Sequence, residues 1–474
     1  MRNFILGTTC VLATGCTANV EPEKSSENPN IVVIFCDDLG YGDIGPFGHP
    51  TIHTPHLDEM AREGQKWTNF YAAAPVCTPS RAGLLTGRLP VRSGMASNKR
   101  RVLFPDSDGG LPENEITIAE ILKEQSYKTA CIGKWHLGHL APYLPANNGF
   151  DYYFGIPYSN DMDRIEGIDH FESCVNPKVE YFQVPLLRNN EVIEMPANQI
   201  NITKRYTDET IKFIEDNADS SFFIYLAHTM PHVPLFTAEE FENKSLRGVY
   251  GDVIEELDWS VGQILQTLTE KGLDKNTMVV FTSDNGPWLT FNELGGTAGL
   301  LKGGKGSTYE GGMREPTIFW WPGKIAPGVK MQMASALDLY PTICSITGAD
   351  LPNDRILDGY DLSPVLFHNG ETKRNEVFYY RDTDIFAVRM GSYKAHFKTQ
   401  KGFGEDDYTE HDPPLLYNLD VDPAEQYNIA TRHPEIIEKM EAIVQSHSES
   451  IKPIENQLEK VIDNSGVDYQ KKSL

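Results

Sequence analysis

Asn30-Ile31-Val32-Val33-Ile34-Phe35-Cys36, followed at once by Asp37-Asp38-Leu39-Gly40-Tyr41-Gly42-Asp43, is the stretch on which the fold turns. Its first part is an almost unbroken apolar run rich in β-branched residues, which predicts a strand buried on both faces of a parallel sheet. Its second part is an acidic, glycine-containing loop at the C-terminal end of that strand, where α/β sheets bind their ligands. The same alternation continues outward. Leu57 to Gly64 reads as an amphipathic helix and Gln65 to Tyr71 as a strand; Ile116 to Gln125 is a helix, and Lys128 to Gly133 a strand that runs into Lys134-Trp135-His136. A helix from Thr207 to Asp216 precedes the strand Phe222 to Ala227, and a long helix from Gly251 to Gly272 precedes Thr277 to Thr282, which ends in Ser283-Asp284-Asn285-Gly286. Strands alternating with helices imply an α/β fold with a large mixed, mainly parallel sheet flanked by helices.

From about Glu376 the texture changes to short strands: Val377 to Tyr380, Phe386 to Met390, Tyr393 to Lys398 and Leu415 to Asp420. Gly402 to Pro414, rich in Asp, Glu and Gly, reads as an exposed loop, and Pro434 to Ser446 as a closing helix. The expected division is therefore a catalytic domain over 30–370 and a smaller C-terminal α+β subdomain over 371–474, a short antiparallel sheet plus helix.

The 474 residues carry a net charge of -25, which argues against nucleic acid or an anionic membrane surface as partner. An anionic substrate then requires a local cluster of cations. Met1-Arg2-Asn3, the apolar Phe4-Ile5-Leu6 and Leu12-Ala13-Thr14-Gly15-Cys16 make an export signal over 1–16 that is too short to span a membrane. The last five residues resemble a bacterial lipobox with Cys16 lipidated, cleavage beside Ala18 being the alternative. Residues 17–29 read as a disordered tether. Export to the periplasm or surface of a Gram-negative cell, with a lipid anchor, is the resulting expectation. Cys36 and Cys131 fall inside strands as buried spectators, and a Cys174–Cys344 bridge has no sequence signal in its favour.

The chemistry centres on Cys77-Thr78-Pro79-Ser80-Arg81, continued by Leu85-Thr86-Gly87-Arg88. Free Cys is usually a small buried apolar residue. Here a turn feeds a helix start and a fixed cation lies one turn away, the setting of an active cysteine or its derivative. With its extension the motif resembles that of the type I sulfatases, in a branch with arylsulfatase A and N-acetylgalactosamine sulfatases. The resemblance runs from about Asn30 into the C-terminal region and implies an alkaline-phosphatase-like fold. It further implies that Cys77 is oxidised by a formylglycine-generating or sulfatase-maturating partner enzyme to formylglycine (3-oxoalanine), whose hydrate attacks the sulfate ester.

Asp37, Asp38, Asp284 and Asn285 offer hard oxygen ligands without thiolate or imidazole, a set suited to Ca2+ or Mg2+. Each pair alone could be ordinary capping and turn chemistry. The resemblance assigns them, with residue 77, to one calcium ion. It also assigns Arg81 to orient the nucleophile, Lys134 to bridge it and the sulfate, His136 as base, and His232 and Lys305 to the leaving oxygen. The motif Gly-Ser-Thr-Tyr-Glu-Gly-Gly selects Lys305 over Lys302, and a following x-Pro selects His232, leaving His228 as a weaker substrate-side candidate. Pro157 to Met162, and residues up to Pro196, are expected to shape the pocket mouth. Asp161 there is a candidate for a sugar hydroxyl, against the simpler reading of a solvated loop acid.

The function so implied is a sulfuric ester hydrolase acting on a sulfated saccharide, a polysaccharide or glycosaminoglycan fragment. A phosphomonoester or phosphonate hydrolase of the same superfamily is the alternative, and a non-catalytic carbohydrate-binding surface lipoprotein the alternative of another class.

Overall fold

The computed structural model of the protein describes residues 28–403 and 407–462, together with Met1. The signal with Cys16, and the tether up to residue 27, lie outside the described residues. The tether's end is fastened: the Asn28 carbonyl accepts from the Ser221 hydroxyl and the Pro29 carbonyl from Tyr127, which corrects the expectation of disorder up to residue 29.

The strands in chain order are β1 (Asn30–Cys36), β2 (Gln65–Tyr71), β3 (Lys128–Gly133), β4 (Tyr152–Gly155), β5 (Leu186–Arg188), β6 (Glu191–Glu194), β7 (Phe222–Ala227) and β8 (Thr277–Ser283). They continue with β9 (Arg314–Trp320), β10 (Gly328–Lys330), β11 (Ala334–Ser335), β12 (Glu376–Arg381), β13 (Asp384–Met390), β14 (Tyr393–Thr399) and β15 (Thr409–Asn418). The first sheet has 11 strands in the order β10-β2-β9-β8-β1-β7-β3-β4-β5-β6, with β11 paired to β2. At its centre β8, β1, β7, β3 and β4 are all parallel, while β9, β5 and β6 pair antiparallel to their neighbours.

The unbroken apolar run of β1 has a simple cause. Ile31, Val33 and Phe35 point into one core and Val32, Ile34 and Cys36 into the other, so neither face meets water. Because β8, β1, β7 and β3 run the same way side by side, the loops after Cys36, Ala227, Gly133 and Ser283 emerge at one edge. That edge carries the site.

Two sequence expectations change. The helix expected from Thr207 starts at Ile202: Ile202, Tyr206, Thr210 and Ile214 form one buried stripe, whose central threonine hid the pattern. Residues 409–414 of the expected exposed loop belong to β15, an edge strand that tolerates Pro413 and Pro414 because their missing donors are not needed there. Cys174 and Cys344 are both free and lie in the cores on opposite faces of the sheet, so no bridge joins them.

The second sheet, β12-β13-β14-β15, is antiparallel and is covered by the Pro434–Ser450 helix. After that helix the chain returns to the large sheet's layer: Gln457 donates to the Gly94 carbonyl, and Ser107 pairs with Val461. Among the described residues no helix is long and apolar enough to cross a membrane.

Candidate active site

Cys77 opens a helix that runs to Thr86, with Val76 still extended before it. Pro79 is tolerated in the first turn because its missing N–H would have no partner there. Arg81, one turn on, is fully buried and reaches under the sheet edge. Its Nη2 lies 2.7 Å from Asp284 Oδ2 and 3.4 Å from Asp37 Oδ1, while Nη1 donates to the Lys134 carbonyl.

The acids after β1 and β8 interlock. The Asp38 N–H donates to Asp284 Oδ1 at 3.1 Å, and Asn285 Nδ2 donates to Asp38 Oδ1 at 2.7 Å. Lys134 Nζ lies 2.5 Å from Asp37 Oδ2, and Lys305 Nζ 2.8 Å from Asp38 Oδ2. Two oxygens have no hydrogen-bond donor although both are buried, Asp37 Oδ1 and Asn285 Oδ1. Burial raises the Asp37 carboxyl, but Lys134, His232 and Arg81 more than offset it and hold it well below the ordinary range. Asp284 is pushed up to about 7 by burial and by Asp37, against Arg81. A divalent cation fits this donor set: it would complete the orphaned oxygens and relieve the crowding that raises Asp284. One donor atom each from Asp37, Asp38, Cys77 and His232 lie within 4.8 Å of one another, which sets the His232 imidazole beside the expected ligand group.

The remaining groups come from separate loops. The Lys305 loop crosses so close to the Asp284 turn that a Cβ on Gly286 would lie 1.8 Å from the Gly311 carbonyl, which is why both segments need glycine. Lys305 Nζ also sits 4.2 Å from the centre of the Trp288 ring. Burial works against its charge, but Asp38 outweighs it and keeps the ammonium protonated. Lys302 points elsewhere, over Tyr309.

His136 has a left-handed backbone (φ 56), and its Nε2 faces the Leu103 carbonyl at 2.8 Å, an acceptor only. Nε2 therefore holds the hydrogen, and Nδ1, which has no partner, presents its lone pair. Burial and Lys134 hold this imidazole well below its ordinary value. His232 Nδ1 likewise donates to the Val233 carbonyl, so Nε2 faces Asp38 at 3.6 Å; burial and Lys305 keep the ring neutral.

A cavity of about 700 Å³ opens onto Cys77, His136, His232 and Lys305. The Cys77 thiol is only 2 % exposed, and burial raises its pKa in spite of Lys134 and Lys305. As a thiol it stays protonated and is a poor nucleophile.

His228 is not brought to this cavity. Its Nε2 lies 3.3 Å from the Ser260 hydroxyl and its ring packs near Tyr206, beneath the sheet edge, which corrects its expected place at the substrate. Asp161 does line the cavity and bonds His170, so it is not a solvated loop acid; of the residues expected at the mouth, Ser159, Asp161 to Arg164, His170 and Phe171 reach it. The sequence reading passed over Ser159, whose hydroxyl takes a bond from Lys134 Nζ at 3.1 Å and lies 3.4 Å from His232 Nε2. Its signal was its place just beyond the end of β4. Trp288 and Phe403 were also missed, the latter arriving from the loop after β14 to pack on Trp288.

The chain matches known proteins over most of its length. Residues 29–349 match the family model described as Sulfatase, and residues 372–470 match the C-terminal region of aryl-sulfatase. The chain belongs to the sulfatase family. It is 43% identical over 448 residues to arylsulfatase A of Homo sapiens, covering 88% of this chain and 87% of that protein. It is 38% identical over 471 residues to N-acetylgalactosamine-6-sulfatase of Mus musculus, covering 91% and 88%. Among solved structures it is similar to Ps i-CgsB in complex with k-i-k-neocarrahexaose, with TM-score 0.76 and 29% identity over 92% of this chain and 95% of that one. As a sulfatase, the protein is an enzyme that hydrolyses sulfate esters.

Proposed function

We propose that this sulfatase removes sulfate from a sulfated saccharide, with residue 77 acting as formylglycine. The observation that carries the nucleophile is the Cys77 thiol itself: buried and held protonated among cations, it is chemically idle unless converted. A maturating partner enzyme would supply the oxidant and remove the sulfur, leaving an aldehyde that water hydrates to a geminal diol. The saccharide class is supported by the oligosaccharide complex of Ps i-CgsB and by a cavity of about 700 Å³, room enough for a sugar ring.

Arg81 and Lys134 would orient the diol, and Lys134 and Lys305 would take the sulfate oxygens. Asp37, Asp38, Asp284 and Asn285 would hold one calcium ion, which supplies positive charge to the sulfate and to the attacking oxygen. One diol hydroxyl would yield its proton to a neighbouring carboxylate, Asp37 or Asp284, as its oxygen attacks sulfur in line and the bond from sulfur to the sugar oxygen breaks. That oxygen takes a proton from His232 or Lys305. Burial and Lys305 lower the pKa of the His232 imidazole, but an arriving anion favours its protonated form. The second diol hydroxyl then gives its proton to Nδ1 of His136, its carbon–oxygen bond becomes double, and sulfate leaves. Water restores the diol, so one ester and one water become one alcohol and hydrogen sulfate.

In this reading the 30–370 portion performs the chemistry and the 371–474 portion buttresses the Lys305 loop, while lipidation of Cys16 anchors the exported enzyme. Peptide mass spectrometry on protein from a maturation-competent host should find the aldehyde or its hydrate at position 77. Sulfated sugars should be turned over far better than phosphate or phosphonate monoesters. An unmodified thiol in fully active enzyme overturns the nucleophile; preference for phosphonates overturns the ester class.

A further inference from the structure

Away from the sulfate end, the cavity has a second chemical feature that no step above uses. The His170 Nε2 lies 2.8 Å from Asp161 Oδ2, and both residues line the cavity. The other oxygen, Asp161 Oδ1, is buried without any donor. Burial raises this carboxyl, but His170, His232 and Lys305 hold it below the ordinary range, so it stays an anion. Asp161, His232 and Lys305 line the same cavity. The same cavity has an aromatic wall: Phe171 stacks on Phe291 at 5.2 Å, and Phe291 meets Trp288 edge-on at 4.8 Å. The His170 ring is 6.1 Å from both Trp288 and Phe291. Cys174 Sγ also approaches His170, but at the same Nε2 that serves Asp161 (3.7 Å), so the three do not form a nucleophilic relay.

Resting on the saccharide reading, we propose that Asp161, fixed by His170, is the specificity-determining acceptor for a free hydroxyl beside the sulfated carbon, and that it rejects a second anion there. A carboxylate oxygen is acceptor only, so it demands an O–H or N–H donor. It stands against an apolar wall that suits the C–H face of a sugar ring, and poor solvation magnifies both the reward for a hydroxyl and the repulsion of sulfate or carboxylate. His170 is a positioning residue: it occupies Oδ2 and leaves Oδ1 for the substrate.

The test uses the matured, full-length enzyme with 4-nitrocatechol sulfate, the 6-sulfates of galactose, N-acetylglucosamine and N-acetylgalactosamine, and N-acetylgalactosamine 4-sulfate, each sugar beside its disulfated counterpart. Turnover of the aryl sulfate by wild type reports on the parent reading independently of the subsite. Wild type should prefer its best monosulfated sugar over the disulfated one by at least about tenfold. In Asp161→Asn the ratio of sugar to aryl-sulfate kcat/KM should fall roughly 10- to 100-fold, the worth of a hydrogen bond to a charged group. The preference against the disulfated sugar should shrink with it. His170→Gln, which keeps a donor for Oδ2, should change the ratio less than His170→Ala. Equal losses on sugar and aryl sulfate in all three variants, an unchanged mono-to-disulfate preference in Asp161→Asn, or aryl-sulfate turnover with no sugar accepted would each overturn the proposal.

Discussion

Two clusters of buried charge lie on either side of the Lys305 loop, and they are built to opposite rules. At the sheet edge, Asp37, Asp38 and Asp284 face Arg81, Lys134 and Lys305, and the cluster leaves Asp37 Oδ1 and Asn285 Oδ1 buried without a hydrogen-bond donor. At the junction with the second sheet, Glu310 and Glu425 face Lys394 and His396. There Glu310 takes bonds from Tyr379, Lys394 and Tyr71, while Glu425 takes them from Lys394, His396 and the Glu310 N–H. Every carboxylate oxygen in the second cluster is satisfied from within. Burying ions costs several kcal/mol each, so a cluster whose carboxylate oxygens are all filled serves structure, while one with orphaned oxygens has kept lone pairs for a ligand. The junction cluster still matters to the site, because Glu310 sits five residues beyond Lys305 and clamps its loop, and Phe403 N–H donates to the Lys305 carbonyl.

The comparison can be broken in four places. Cys77→Ala should cost the most, on the order of 10⁶-fold in kcat on every ester, as for loss of a covalent nucleophile. A surviving activity within tenfold of wild type would move the chemistry elsewhere. Exhaustive chelation comes next: turnover should reach the detection limit, and adding calcium should restore it and raise Tm. A ligand at 100 times its Kd adds about 2.7 kcal/mol to stability. That rise should vanish in Asp284→Asn but persist in Lys394→Met; a metal-independent Tm in wild type would mean the open oxygens are not ligands.

His232→Ala should impair sulfated sugars by roughly 10²–10⁴-fold but an activated aryl sulfate much less, because a sugar alkoxide needs the proton and a phenolate does not. Equal losses would reduce His232 to sulfate binding and leave Lys305 as the acid. The smallest effect on turnover belongs to Lys394→Met, whose damage should fall on stability instead. Removing one partner of a buried ion cluster costs about 3–5 kcal/mol. Burial raises Glu310 and Glu425, but Lys394 holds both below their ordinary value of 4.5. The stability they contribute is thus present above that pH and fades as the pH falls through their folded values. Without Lys394 those values rise, so the midpoint of acid unfolding, followed by circular dichroism, should move to higher pH. An unmoved midpoint would show that this cluster, too, is not what holds the junction.

The open cluster was largely legible beforehand, and the closed one was not. Asp37, Asp38, Lys134, Asp284 and Asn285 each directly follow an apolar run, and a run buried on both faces announces itself locally, residue by residue. Cys77 and Arg81 share one helix turn, so their proximity needs no partner from afar. Glu310, Lys394 and Glu425 carry no such mark, since a charged residue in a strand or loop reads as solvated until its partners are known.

What the sequence by itself determined, then, is the parallel core and the strand-end loops, because those follow from short-range periodicity and composition, while the motif around Cys77 is read through its resemblance to a family. Only the tertiary structure showed where the second histidine goes: His232, which the following x-Pro already selects, meets the cavity, while His228, four residues earlier, turns under the sheet to Ser260. It likewise brought Ser159 to Lys134, Asp161 to His170 beside Trp288, and Phe403 across from the second sheet. The physical reason is the same in each case. A polar side chain's role is set by the groups that desolvate and pair with it, and here those groups come from distant loops that only the closed sheet gathers at one edge.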